Sequence, residues 1–211
     1  PKFAEIKMIN LELERVADIT LQTPQQQCNQ SLLSAQSLGG DIELKELSFA
    51  YPGHADVLLR ELNVRFQGGK CTAISGPSGC GKTSLLKLLL GLESPSEGSV
   101  HIGSRNLQEI SEHWLRQSCS ALLHGDGLLA GDLAYNIHLD QRPNDWDAMD
   151  EVCELVGISD LIKALPLGFA TEIGEMGNIF SAGQRQRILL ARALYRKPEI
   201  LVLDESLSHL D

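Results

Sequence analysis

The sequence predicts an α/β domain with a largely parallel core sheet, and three observations carry that prediction. Strand-like and helix-like stretches alternate along most of the chain from Asp41 onward. A glycine-rich turn, Gly76 to Thr83, lies between a short apolar run and an apolar helical stretch. A second apolar run, Ile200 to Leu203, leads straight into two adjacent carboxylates, Asp204 and Glu205. Short apolar runs without alternation suit strands covered on both faces, as parallel strands are.

Taken in order, residues 1–22 place Ile6, Ile9, Leu13, Val16 and Ala17 at helical spacing among acidic and basic neighbours, which predicts an amphipathic helix. Residues 23–40 turn polar and small and read as a linker. Ile42, Leu44, Leu47 and Phe49 suit a half-buried strand, and Val57 to Phe66 a second. Cys71 to Ser75 reads as a short buried strand entering the glycine-rich turn. Ser84 to Leu92 reads as an apolar helix ended by Gly91, Pro95 and Gly98. Val100 to Ile102 starts a strand, while Ile110 to Ser118 and Trp146 to Val156 look helical. Ile188 to Arg196 is read as a helix stopped by Pro198, ahead of the buried strand Ile200 to Leu203.

At 211 residues the chain has room for one sizeable domain and an attached segment. Eighteen basic residues against 28 acidic ones give a net charge of −10, which speaks against a nucleic-acid-binding surface. Five scattered cysteines with no C-x-x-C pair read as free thiols in a reducing compartment. No apolar run reaches the ~18–20 residues that a membrane span needs. The opening Pro1-Lys2-Phe3-Ala4-Glu5 has neither an initiating Met nor a signal-peptide pattern, so it reads as the interior of a longer protein.

Gly76-Pro77-Ser78-Gly79-Cys80-Gly81-Lys82-Thr83 matches G-x-x-x-x-G-K-[ST] without a gap, in the strand-turn-helix setting the mechanism requires. Glycines let the backbone wrap a polyphosphate with several N–H donors, and the helix start adds its positive end. Lys82 is the cation for the β- and γ-phosphates, Thr83 the hydroxyl for Mg²⁺, and Ser84 a further donor. Cys80 reads as a bystander at a position that tolerates small residues. Behind the apolar strand, Asp204 is placed to hold Mg²⁺ and Glu205 to orient or deprotonate an attacking water.

Between these motifs runs Phe180-Ser181-Ala182-Gly183-Gln184-Arg185-Gln186-Arg187, which opens an apolar helix. Ser181 suits an N-cap. The same segment resembles the L-S-G-G-Q signature of ATP-binding cassettes, with Phe180 for Leu and Ala182 for the first Gly. Ala191-Arg192-Ala193-Leu194, Leu203-Asp204-Glu205 and the loop Ser208-His209-Leu210-Asp211 are also similar to that family, in its order, over residues 41–211.

The resemblance implies a P-loop fold with a mostly parallel core sheet, an antiparallel β subdomain and a helical subdomain bearing the signature. It implies ATP and Mg²⁺ as ligands and a head-to-tail homodimer. In that dimer Ser181, Ala182, Gly183 and Gln184 face the γ-phosphate held by the partner's phosphate loop. Tyr51 matches the aromatic that stacks on adenine, although a sheet-edge aromatic would look the same. Residues Thr171 to Gly177 resemble the exporter segment that touches the membrane domain, and equally a polar surface loop.

The chain departs from the family at three places. His124 stands where a glutamine usually contacts Mg²⁺ and the attacking water, which is expected to slow hydrolysis if His124 is not simply solvent-facing. Ala182 adds a methyl where backbone approaches phosphate. The family's histidine beyond the Ser208 to Asp211 loop is not in the sequence, so the chain as it stands is expected to be a weak ATPase with a fold incomplete at the C-terminus.

Residues 1–22 resemble the stretch leaving the last membrane helix of an exporter, implying a transmembrane domain in the same polypeptide. The cassette would then sit on the cytoplasmic face of a bacterial inner membrane. Leu165 to Gly168, Gly174 to Gly177 and Ser208 to Asp211 are most similar to bacteriocin exporters of the colicin V type, which implies a peptide cargo. Two alternatives stand beside this: a degenerate cassette that binds ATP but hydrolyses it poorly, and a non-transport ATPase of the same family.

Overall fold

A computed structural model describes residues 40–53, 56–139, 145–174 and 179–204. The helix read over 1–22, nearly all of the 23–40 linker, residues 175–177, Glu205 and the Ser208 to Asp211 loop lie outside the described residues.

The first half of the chain builds an antiparallel sheet of four strands, β1 (Ile42–Phe49), β2 (Leu59–Phe66), β3 (Glu97–Ile102) and β4 (Arg105–Asn106), in the order β2-β1-β3-β4. Leu44 and Leu47 both point into the core although three positions apart, which a regular strand forbids. A break in register between Lys45 and Ser48 reconciles them: the bulge, with Glu46 at φ 49°, carries one extra residue and returns Leu47 and Phe49 to the buried face. Asn63 Oδ1 accepts the Glu46 N–H at 3.0 Å, so the bulge leaves that donor satisfied. Opposite it sits Gly98 at φ 77°, where an added Cβ would lie 2.4 Å from the carbonyl oxygens of Lys45 and Glu46. Only glycine fits there.

Helix α1 (Lys82–Leu89) lies against this sheet, and Leu85, Leu88 and Leu89 join Leu44, Leu47, Phe49, Val100 and Ile102 in one core. Leu88 is fully buried. Burying a leucine is worth about 1.5–3 kcal/mol. The helix begins two residues before the predicted Ser84, because Gly81 at φ 95° supplies a left-handed start.

A second core gathers the helices. It contains α3 (Leu133–His138), α4 (Trp146–Leu155), α5 (Ser159–Ala164) and α6 (Ala182–Tyr195), with Ile137, Met149, Ile158, Ile173 and Ile188 all essentially inaccessible. The predicted Ile188 to Arg196 helix starts six residues earlier than its apolar run, since a capping box at Ser181 sets its beginning. Short strands β6 (Gly131–Asp132) and β7 (Glu172–Ile173) pair antiparallel at the edge of this core. Among the described residues no helix is long and apolar enough to cross a membrane.

Helix α2 (Glu112–Ser118) runs into β5 (Cys119–Leu122), which pairs parallel with β8 (Ile200–Leu203). This two-stranded sheet is the only parallel pairing among the described residues. The expected mostly parallel core sheet is represented there by one pair, while the larger described sheet is antiparallel. The strand expected over Cys71 to Ser75 is a correction: that segment is exposed and irregular, and no ladder joins it to another described strand. A strand exists through its neighbours' hydrogen bonds, and apolar composition alone does not supply them.

Candidate functional site

The glycine-rich turn, residues 76–81, leads into α1, with Leu58 and Leu59 behind it. Gly81 has a left-handed backbone with Leu59 and Leu58 pressed close, so a Cβ would collide at 2.9 Å. Its lack of a side chain leaves the start of α1 without a side-chain cap. Backbone N–H groups at a helix start that carries no cap are the donors a phosphate would use.

Lys82 curls back over the turn, its Nζ donating to the carbonyls of Gly76 and Pro77, each at 2.9 Å. Ser78, Gly79 and Cys80 form the exposed rim of the same turn. Tyr51 stands behind the helix. Its hydroxyl and that of Ser84 share a hydrogen bond of 2.9 Å, and its ring packs edge-on against Phe49 with centroids 4.8 Å apart. The aromatic is therefore a half-buried ring packed against the first core just beyond β1 and pinned to the phosphate-loop helix.

The contact that joins the two motifs spans 121 positions: Thr83 Oγ1 donates to Asp204 Oδ2 at 2.7 Å. Asp204 is buried just past the end of β8, and its N–H donates to Leu122 O at 2.9 Å, which holds its backbone beside β5. Among the described residues no cluster of three or more His, Cys, Asp or Glu side chains could form an all-protein metal cage. One hydroxyl and one carboxylate in contact are what Mg²⁺ uses, because it keeps several waters and shares substrate phosphates. The donor set fits that ion.

Beyond β5, Leu123 to Asp126 form a tight turn, with Asp126 N–H donating to Leu123 O at 3.1 Å and Asp126 Oδ2 accepting the Leu123 N–H at 2.8 Å. This turn and Thr83 and Lys87 line a cavity of about 420 Å³. His124 is on that wall and exposed, which suits the working and the solvent-facing reading alike.

The signature lies elsewhere, at the head of α6. Ser181 Oγ accepts the Gln184 N–H at 3.2 Å, and Gln184 Oε1 accepts the Ser181 N–H at 2.9 Å. Ser181 and Ala182 are exposed, while Gly183 and Gln184 are half-buried. Phe180 is buried and anchors the segment in the second core. Of the segment before the signature, Glu172 and Ile173 form β7, and Thr171 O accepts the Leu133 N–H at 3.0 Å.

A family profile described as "ABC transporter" matches residues 59–208, which begins at β2 and includes β8. The chain belongs to the ABC transporter family, as an ATP-binding cassette. Two Escherichia coli proteins, the "Probable microcin-H47 secretion/processing ATP-binding protein" and the "Colicin V secretion/processing ATP-binding protein", are each 34% identical to this cassette over 207 residues. Each alignment covers 98% of this chain and 30% of the relative, so the chain spans about a third of the length of these proteins. "ABC transporter B family member 2" of Dictyostelium discoideum is 37% identical over 177 residues, 83% of this chain and 13% of that one. Among solved structures, a bacterial Atm1-family ABC exporter with ATP bound superposes with a TM-score of 0.85 at 25% identity, covering 98% of this cassette and 36% of that chain.

Sequence reasoning missed the side chains that organise the cassette's second half. Asn136 is completely buried, and Arg192 reaches it across 56 positions. Their signals were a polar residue four positions after Asp132 and a lone arginine within the apolar run Ile188 to Leu194.

Proposed function

We propose that this cassette binds Mg-ATP, hydrolyses it at an interface shared with an identical cassette, and so powers export through a transmembrane domain of the same polypeptide. The observation that carries this reading is the Thr83–Asp204 contact, which sets the hydroxyl of one phosphate-binding motif against the carboxylate of the other.

In this reading each residue of the site has a role. Amides of Gly76 to Gly81 wrap the triphosphate, with Gly79, Cys80 and Gly81 nearest the helix start. Lys82 exchanges the Gly76 and Pro77 carbonyls for phosphate oxygens. Thr83 and Asp204 hold Mg²⁺, which when bound neutralises charge on the β- and γ-phosphates. Ser84 and Tyr51 set the adenine platform, and stacking on such a ring is worth on the order of 1–3 kcal/mol. Glu205 orients the water, and His124 faces it from the cavity wall. The partner's α6 presents its Ser181, Gly183 and Gln184 end to the γ-phosphate, where the positive end of a helix favours an anion.

The domain plan is a connecting helix over 1–22, a linker over 23–40 and the cassette over 41–211, at the cytoplasmic face of a bacterial inner membrane. The cargo is a peptide, by likeness to the two secretion proteins.

Mg-ATP binding and turnover of the complete protein test the reading against Lys82→Ala and Glu205→Gln. Lys82→Ala is expected to lose both. Glu205→Gln is expected to keep binding, trap paired cassettes and lose about 10²–10⁴-fold in turnover, the usual worth of a positioned general base. An unaltered protein without affinity for Mg-ATP, or one that binds it and stays unpaired, refutes the reading.

A further inference from the structure

Arg192 sits on α6, three turns after the signature serine, and is half-buried against the segment that follows the cavity turn. All three of its nitrogens are engaged. Nε donates to Asn136 O at 2.7 Å, Nη2 to Asn136 Oδ1 at 2.8 Å, and Nη1 to Gly127 O at 3.0 Å. Asn136 carries the link onward. Its Nδ2 donates to Leu129 O at 2.9 Å and Asp132 O at 3.0 Å, while its Oδ1 also accepts the Leu129 N–H at 2.8 Å. The carboxylate of Asp126, one residue before Gly127, attracts the guanidinium and at the same time closes the turn that carries His124.

This arrangement costs more than simple packing would require. Burial pushes the guanidinium's proton affinity down, and Arg192 stands in the same helix as the buried apolar Ile188, Leu189, Ala191 and Ala193. A planar fork that binds several fixed carbonyl acceptors at once is what arginine offers and lysine does not. What it holds is Gly127, the residue that follows the turn on the cavity wall. What it sits on is a single rigid helix whose other end is Ser181.

We propose that Arg192 is a positioning residue that ties the cavity turn, Leu123 to Gly127, to the signature helix. A second cassette docking on Ser181 then adjusts His124 and Asp126 in the first cassette's own nucleotide site. The inference rests on the proposed ATPase reading and adds the route by which each site registers that its partner has closed. Nucleotide affinity is set by the phosphate loop and Tyr51 on the other core, so Arg192 acts on turnover rather than on binding.

The test uses the complete protein, with Arg192→Lys, Asp126→Asn and His124→Ala alone and in pairs. Arg192→Lys keeps the charge and loses the fork. Asp126→Asn changes an exposed residue and leaves folding intact, so the test survives if the Arg192 variant fails to fold. Both are expected to keep Mg-ATP affinity within about 3-fold and to lower kcat by about 10-fold or more, the mark of an interaction felt only beyond binding. In the His124→Ala background the Arg192→Lys loss is expected to shrink below about 3-fold, since residues acting through one another are non-additive. The proposal is overturned if kcat is unchanged, if affinity and kcat fall together with the melting temperature, or if the losses multiply in the double variant. An unaltered protein that fails to hydrolyse Mg-ATP would instead count against the ATPase reading.

Discussion

Ser181 holds two jobs that a pair of substitutions can separate. Within the chain its Oγ accepts the Gln184 N–H at 3.2 Å and starts α6. Across the proposed interface it meets a triphosphate. Ser181→Ala removes the cap acceptor, which costs about 1 kcal/mol, with a range of roughly 0.5–2. For a domain of this size that lowers the melting temperature by about 2–4 °C per kcal/mol. Ser181→Asp keeps an equally good cap, and its charge at a helix start adds roughly 0.3–1 kcal/mol of stability. The same charge facing a γ-phosphate oxygen at ~4 Å costs about 4 kcal/mol at an effective dielectric near 20. Ser181 is exposed in the single cassette. Halving the penalty for residual water leaves about 2 kcal/mol, roughly thirty-fold in ATP-driven pairing or turnover.

Thermal melts and Mg-ATP turnover of the complete protein read these two effects independently. Ser181→Ala is expected to melt lower, while Ser181→Asp melts at or above the parent temperature yet loses turnover by an order of magnitude or more. If Ser181→Asp melts as low as Ser181→Ala, the capping assignment is wrong. If it turns over ATP like the parent, no phosphate approaches that helix.

Three further outcomes follow from the same coordinates. His124→Gln restores an amide donor and acceptor to the cavity wall beside Thr83, and turnover of the complete protein should rise; an unchanged rate removes His124 from the mechanism. Gly98→Ala forces an L-residue to φ 77° with its Cβ on two carbonyl oxygens, so it should cost more than the ~1–2 kcal/mol of the left-handed backbone alone, seen as a shift in denaturant midpoint. Burial raises the Cys119 thiol to about 11 and the Cys153 thiol to about 12, so both stay protonated and unreactive at pH 8. Mass spectrometry after brief alkylation should find the exposed Cys71 and Cys80 modified first, and early labelling of Cys153 would contradict its burial in the second core.

The site was legible in the sequence wherever its chemistry is contiguous. Gly76 to Thr83 announces itself because a phosphate cradle needs its glycines, lysine and hydroxyl within a few bonds of one another. Ser181 was legible as a helix start, and the structure finds the cap it implied. The strand expected at Cys71 to Ser75 was not legible, because five apolar and small residues say nothing about which neighbours supply the ladder. The bulge at Lys45 and Glu46 was invisible too, since Leu44 and Leu47 pass for ordinary strand apolars until register is known. Helices α3 and α5 have six residues each, less than two turns, too few for a helical period to emerge. The Arg192–Asn136 knot joins positions 56 apart, and the lone polar residue at each end does not say which partner it meets.

The two hydrophobic cores bear on how one chain could offer both halves of the proposed shared site. Lys82, Thr83 and Tyr51 are held by the sheet-and-helix core, whereas Ser181 is held by Phe180 and Ile188 in the helical one. In the proposed head-to-tail pair each nucleotide meets the grip from one copy and the cap from the other, so a single core would tie the grip of one site rigidly to the cap of the other whether or not ATP were present. Separate cores let that tie change, and interfaces between packed bodies favour discrete arrangements over continuous bending. The cost is that nothing in packing alone would make the two halves move in step. Side-chain links must do so, and two candidates stand out: the Thr83–Asp204 bond beside the nucleotide and the Arg192 fork at the far end of the signature helix. The first forms where the ion and phosphates compete for both partners, so it must yield when ATP enters. The second touches only backbone carbonyls and a buried amide, groups no nucleotide displaces, and it can therefore persist through the whole cycle and transmit what the first gives up.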